Sequence, residues 1–358
     1  VGETAIEWTD TVWNPVRGCA RVSPGCESCY AERQAHRFSN PGGPYEGLTV
    51  LGKHGPRWSG RARFVPETLD APLRWRKPRR IFVNSMSDLF HHDITNEQIA
   101  AVFGVMAACP QHTFQVLTKR AERLPEWFRW VDEVPNAGAD PEKPAWRWLR
   151  CVHQAQELGA RPKRLSGHMH WPLNNVWLGV SAENQEWFDK RVPYLLRTPA
   201  AVRFVSAEPL LGPIDMRWKS LGQGSDCPEH GRMVRVDEDG CCVTCGRDAT
   251  WYGLDWIIAG GESGPGARYC NVAWIRAIAQ QCEAAKVPVF VKQLGARVIE
   301  NRGRFEEHVG GSTRPYVDGA RITEDGTVER MWWPTDRKGG DPSEWPEELR
   351  VRQFPRGA

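Results

Sequence analysis

The sequence predicts an α/β fold built on a parallel, barrel-like sheet, and three observations carry that expectation. Short runs rich in β-branched and aromatic residues recur along the chain, segments with one apolar helical face separate them, and each run ends in polar or charged residues. Alternation of strand and helix predicts a parallel sheet, either a barrel or doubly wound. Polar groups gathered at the carboxyl ends of all its strands favour the barrel-like form, with an active rim.

With 358 residues, 41% apolar and 25% charged, the chain has the composition of a folded protein: one large domain with insertions, or two ordinary ones. No run of about 18 apolar residues occurs, so no membrane span is expected. The start, Val1-Gly2-Glu3-Thr4, has neither the basic nor the apolar region of a signal peptide, and a cytoplasmic location is expected. In that compartment 11 cysteines are metal-binding or catalytic rather than paired in disulfides.

Taken in order, the first feature is a Gly- and Pro-rich loop, Trp13-Asn14-Pro15-Val16-Arg17-Gly18-Cys19 through Cys26-Glu27-Ser28-Cys29-Tyr30-Ala31. Three thiolates spaced C-x6-C-x2-C suit three irons of a four-iron cluster and leave the fourth iron open. They also suit a zinc ion completed by His36 or His54. Residues 31–38 read as one or two helical turns, and 39–79, broken by Gly and Pro, as a long irregular connection.

The strands follow at 80–84, 114–118, 176–180, 202–206, 255–259 and 288–292, each lacking strict alternation, as strands buried on both faces do. Helices are predicted over 95–108, with Thr95 as N-cap, over 184–197 and over 272–286. The strands run into Asn84-Ser85-Met86-Ser87-Asp88, Thr118-Lys119-Arg120, Ser181-Ala182-Glu183-Asn184, Ser206-Ala207-Glu208-Pro209, Gly260-Gly261-Glu262-Ser263-Gly264 and Lys292-Gln293. Helix N-caps account for one or two of these ends but not for six.

Two insertions break the rhythm. Residues 131–172 read as loop, and His153, His168 and His170 in it as ordinary polar residues. In 213–254, Cys227-Pro-Glu-His230 precedes Gly240-Cys241-Cys242-Val-Thr-Cys245, and these knuckles offer four ligands for a structural zinc: Cys227, His230, Cys242 and Cys245, with Cys241 competing for the third place. The tail, 296–358, has no strand–helix rhythm and is expected to pack over the barrel. Cys109, Cys151, Cys270 and Cys282 read as buried small hydrophobes, with Cys270 the one placed to face the rim.

Charge gives less. With 47 basic and 44 acidic residues the net of +3 decides nothing about nucleic acid. Locally, Arg57, Arg61, Arg63, Arg74, Arg76, Lys77, Arg79 and Arg80 are interleaved with Trp58, Phe64 and Trp75, a pattern that fits a phosphate backbone with stacked bases or, equally, a solvated face. The 18 tryptophans, several in polar segments (Trp127, Trp146, Trp345), lean toward a large partner.

Together these motifs resemble a known group. WNPVRGC…SPGCESCYAER is similar to the cluster loop of radical S-adenosylmethionine (SAM) enzymes, particularly those related to spore photoproduct lyase, although most of them have three rather than six residues in the first gap. With NSMSDLF, LTKR, NVWLGVSAEN, SAEPL, GGESG, VFVKQLG and GGDPSEWPEELRVRQFP, nearly the whole chain resembles the phage-associated three-cysteine-motif family of uncharacterised proteins.

The resemblance implies a partial (β/α)6, TIM-like barrel of the radical SAM kind over 1–295, carrying the zinc-ribbon-like insertion, with 296–358 as an extension. It implies a [4Fe–4S] cluster on Cys19, Cys26 and Cys29, and SAM on the open iron, cleaved by one electron from a donor such as flavodoxin or ferredoxin to a radical that abstracts hydrogen from substrate. Tyr30 would lie near the adenine, and Ser85, Ser87, Asp88, Lys119, Ser181, Glu183, Glu208 and Glu262 are the candidate SAM contacts. The implied substrate is a nucleic-acid base or nucleotide, in modification or repair. Two other readings stay open: a non-catalytic, metal-stabilised nucleic-acid-binding protein, and a radical SAM enzyme acting on a peptide or small metabolite.

Overall fold

The computed structural model describes residues 4–133, 145–162, 170–216, 225–227, 231–234, 250–251, 253–304, 320–322, 327–332 and 334–355. Its centre is a seven-stranded sheet curled into a half-barrel, with strands β1 (Thr11–Trp13), β2 (Arg80–Val83), β3 (Thr113–Thr118), β4 (Val176–Ser181), β5 (Val202–Ala207), β6 (Trp256–Gly260) and β7 (Val289–Gln293). They lie side by side in chain order and every pairing is parallel. All carboxyl ends therefore open on one rim, which is what places polar side chains from distant parts of the sequence together.

Alternation sorts the strand residues onto two faces. Ile81, Val83, Phe114, Val116, Leu178 and Val180 belong to the main core under the helices, whereas Phe82, Trp177, Phe204, Trp256, Ile258 and Phe290 form a second buried cluster on the concave side with Trp8. The aromatic rings there meet edge-on or tilted, Trp8 on Phe82 at 4.7 Å and Trp177 on Trp256 at 5.7 Å. Gly179 makes room for this plug, because a Cβ there would stand 2.4 Å from Phe204. The concave face is thus filled with rings at its base and polar above them.

Six helices are described: α1 (Tyr30–His36), α2 (Asn96–Ala107), α3 (Arg123–Asp132), α4 (Ala145–Glu157), α5 (Gln185–Leu196) and α6 (Val272–Ala285). The expected N-cap of α2 is present as a reciprocal capping box between Thr95 and Gln98, and Asn184 and Asn271 cap α5 and α6. Helix α4 corrects the loop expected over 131–172. It lies against α2 so closely that a Cβ on Gly104 would come 2.1 Å from the Cys151 carbonyl, with Cys151, Val152 and Ala155 buried in the contact. His153 stands exposed on α4 beside Glu157, His170 is exposed, and His168 lies outside the described residues.

The connection 39–79 is also more regular than expected. Thr49–Gly52 and Gly55–Trp58 form a hairpin, and Ala62–Phe64 pairs with Val16–Gly18. In the tail, Val298–Arg304 and Thr327–Trp332 join a small sheet with Cys270–Asn271 and Ala320–Ile322. The chain then returns along the open edge of β7, where Val291 N donates to Val351 O (2.9 Å) and Gln353 N to Val289 O (2.9 Å). Phe354 packs on Trp256 and Phe290 and closes the base of the half-barrel. Trp127 and Trp345 are fully buried and serve the core rather than a partner. Among the described residues, no helix is long and apolar enough to cross a membrane.

Candidate functional site

The loop 19–29 covers the rim. Cys26 ends a three-residue turn (Pro24–Cys26), Cys29 immediately precedes α1, and Cys19 follows the strand Val16–Gly18. All three are half-buried free thiols, and all three line one cavity of about 260 Å³ over the carboxyl ends of the sheet. Its floor is Ile6, Trp8, Phe82 and Leu117, and its walls include Tyr30, Ser85, Ser87, Asp88, Lys119, Ser181, Glu208 and Glu262. Eight of the nine rim residues picked from the sequence, with the three cysteines, are therefore brought together. The ninth, Glu183, is not on the wall; it is fully buried behind the loop.

What Glu183 does there explains the loop's position. Its carboxylate accepts from Gly25 N (3.1 Å) and from Arg191 Nη1 (2.9 Å), and a Cβ on Gly25 would stand 3.1 Å from that carboxylate. Asp88 has a similar task. It accepts from Thr118 Oγ1 (2.8 Å), Lys119 N (3.0 Å), Phe90 N (3.0 Å) and Arg120 Nη1 (2.9 Å), which uses the hydrogen-bonding capacity of a carboxylate. Arg120, so held, donates to Ala20 O (3.0 Å) and to Cys19 Sγ (3.8 Å). Glu262 grips Arg268 through three donors (2.6 to 2.9 Å), and Arg268 reaches Pro24 O (3.0 Å) and Glu27 (3.2 Å). Asp88, Glu183 and Glu262 are thus acids engaged by arginines, and the loop is fixed by Arg120, Arg268 and Glu183 itself. Arg120, Arg191 and Arg268 were not singled out as site residues from sequence.

The side chains left facing the cavity are fewer. Among the described residues the Lys119 ammonium makes no hydrogen bond or ion pair, and its charge helps to hold Glu183 ionised. Asn84, held at φ 62° just after β2, accepts from Val16 N with its Oδ1 (3.2 Å), while its buried Nδ2 has no acceptor among the described residues. It lines the cavity and was missed as a ligand contact, although its place at a strand end was legible. Glu208 is paired with Lys292 (2.5 Å), and the Tyr30 hydroxyl donates to Ser85 O (2.7 Å).

Electrostatics divide the thiols from the acids. Burial pushes the Cys19 thiol up to about 12 against the opposing pull of Arg120, and burial also raises Cys29. Burial works against ionisation of Asp88 and Glu183 as well, but Arg120 with the hydrogen bonds from Lys119 N, Thr118 and Phe90 N at Asp88, and Lys119 and Arg191 with Ser23 and Gly25 at Glu183, hold both carboxyls below the ordinary range. Thiolates in this loop need a positive charge delivered to them, which a metal centre supplies.

The donor set can be compared with the two metals it was expected to suit. A tetrahedral zinc holds its sulfurs about 3.8 Å apart, as its bond length of about 2.3 Å requires. Here the three cysteines do not bring their sulfurs within 4.8 Å of one another; among the described residues only His91, His92 and Asp93 form a three-ligand group that tight. His36, offered as a fourth ligand, is engaged with Thr49 (3.0 Å) and Ser39, and His54 is exposed at the hairpin turn. A multi-iron cluster binds each thiolate at a different iron and so accepts the wider spacing. An apolar floor, a cationic lysine and an orphaned amide donor fit a zwitterionic organic cofactor above it. The other set does not bear on this: His230, Cys242 and Cys245, with Cys241, lie outside the described residues, and of Cys227 only the backbone of a short strand (Ser225–Cys227) is described.

Cys109, Cys151, Cys270 and Cys282 are buried as expected, and Cys270 faces the small sheet rather than the cavity. The chain belongs to the family described as "Protein of unknown function (DUF5131)", which matches residues 3–324. No curated protein and no solved structure matches it.

Proposed function

We propose that this chain is a radical SAM enzyme, with a [4Fe–4S] cluster on Cys19, Cys26 and Cys29 and SAM in the cavity beneath. The observation that supports this best is that three cysteines share a single cavity with the polar ends of a parallel half-barrel. When bound, the cluster and SAM would supply one-electron cleavage and hydrogen abstraction. The chain's own residues do the rest. Lys119 would hold the carboxylate of SAM, with Asn84 beside it on the cavity wall; Ser85, Ser87 and Ser181 would offer hydroxyls to its polar groups, and Glu208 a carboxylate. Asp88 and Glu262 hold the loop through their arginines and Glu183 holds it directly at Gly25 N, and the ring-filled base keeps water out from below. A flavodoxin- or ferredoxin-type donor and a reducing, cytoplasmic setting follow from the same reading, and the free thiols agree with it.

The test is anaerobic. The purified chain should be brown, contain iron and sulfide, and release 5′-deoxyadenosine when reduced with SAM, whereas Cys26→Ala should lose iron and cleavage together while keeping its circular-dichroism melt. A colourless protein with zinc at these cysteines, or cleavage surviving in Cys26→Ala, overturns the proposal.

A further inference from the structure

The cap that carries the cysteine loop is electropositive out of proportion to the chain. Residues 17–63 hold eight Arg and Lys and three Glu, while the entire chain is only +3, so the remainder is net acidic. The three acids are engaged: Glu32 by Arg21, Glu27 by Arg268, and Glu46 by Gly42 N (2.8 Å). Of the basic side chains, only Arg21 is matched by a carboxylate among the described residues of the cap. Arg17 and Arg63 stand directly opposite each other on the paired strands Val16–Gly18 and Ala62–Phe64, an arrangement that destabilises a strand pair unless an anion lies between or over the two. Neither has a carboxylate partner among the described residues. Arg57 is exposed on the adjoining hairpin, and Arg33 of α1 reaches across the mouth to within 3.3 Å of where a Gly264 side chain would begin.

Beside these cations are uncovered rings. Tyr30 (52% exposed) and Phe38 (53%) bracket α1, and Tyr30 also lines the cavity. Rows of cations without acids select a polyanion, and exposed rings next to them offer stacking faces for bases. A base can enter a cavity only from an unstacked strand.

We propose that this cap binds the backbone of single-stranded nucleic acid and presents one nucleotide to the cavity. That the bound strand is the substrate rests on the radical SAM reading; that it binds does not.

The experiment is fluorescence anisotropy of the full chain with a labelled single strand of about 15 nucleotides and with its duplex, from about 0.05 to about 0.2 M salt. Neither SAM nor reductant is present, so failure to bind and failure to cleave SAM are separate results. Each single-strand phosphate contact contributes about 0.7 to the slope of log affinity against log salt, hence roughly fivefold in affinity near 0.1 M. The double variant Arg17→Gln with Arg63→Gln should lower the slope by about 1.4 and the affinity roughly 25-fold. Arg57→Gln, on the separate hairpin, should lose about fivefold, which keeps the test usable if the first variant melts early. Unchanged slope and affinity in both variants, preference for the duplex, or stronger binding to anionic phospholipid vesicles than to the strand would each overturn the proposal.

Discussion

Asp88 and Arg120 offer the sharpest test of how the cysteine loop is held. Both are buried (5% and 7% exposed), they meet at 2.9 Å, and Arg120 contacts both Ala20 O and Cys19 Sγ. Charges about 4 Å apart at an effective dielectric near 20 attract by about 4 kcal/mol, and removing one member of such a pair strands the other. Asp88→Asn should therefore cost about 3–5 kcal/mol of unfolding free energy, because the new amide also points a donor at donors. Arg120→Met should cost a similar amount. The double variant replaces both charges and should cost clearly less than the sum, with a coupling of about 2–3 kcal/mol. Urea denaturation of the four proteins, with the m-value unchanged, reads this directly. Additivity within about 0.5 kcal/mol would refute the reasoning. A parallel measurement separates anchoring from stability: Arg120→Met should bind less iron per folded chain at a temperature where it remains folded.

Two further outcomes are expected. His91 is buried, and burial first, then the charge of Arg120, pushes it down to about 4, so the folded chain keeps it neutral while the unfolded chain protonates near 6.5. Stability should fall as the pH drops from about 6.5 to about 4, by up to about 3 kcal/mol; His91→Asn, which retains an acceptor for Asp93 N, should flatten that slope in urea midpoints taken at several pH values. Asn84→Asp keeps the left-handed turn and the acceptor for Val16 N but puts a negative charge in the cavity wall beside Lys119, so calorimetric SAM affinity should fall by about tenfold.

Much of this architecture was legible because strands buried on both faces read as continuous apolar runs. The six expected from sequence fall on β2 to β7 with no end shifted by more than one residue. The seventh, Thr11–Trp13, is three residues long between Asp10 and Asn14, too short to show a period. Helix α4 was missed for a related reason: it meets α2 through Cys151, Ala155 and Gly104, small groups whose close approach matters more than their hydrophobicity. At the site, residue types at strand ends could be read, but not which acids are already engaged. Glu183 lies eight positions before Arg191, and Asp88 lies 32 before Arg120; neither spacing signals a pair until the sheet brings them together.

The polar rim therefore has two functions, and the division follows from how little the loop can do alone. The loop's own backbone hydrogen bonds, Cys26 N to Ser23 O, Glu27 N to Pro24 O and Cys29 N to Cys26 O, are confined to 23–29 and leave Cys19 untied to the other two sulfurs. Three acid–arginine pairs, each rooted at a different strand end, hold the loop instead at Ala20, Gly25 and Pro24. Burial makes the Asp88–Arg120 and Glu183–Arg191 pairs costly to break, and attachment of all three pairs to the sheet gives the loop the rigidity of the sheet. The sulfurs are then set before any metal arrives, which lowers the ordering cost of binding it. It also explains why Asp88, Glu183 and Glu262, acids of the type a cofactor's amino group would attract, are turned to arginines, leaving Lys119, Asn84, Glu208 and the serines to meet whatever enters the cavity.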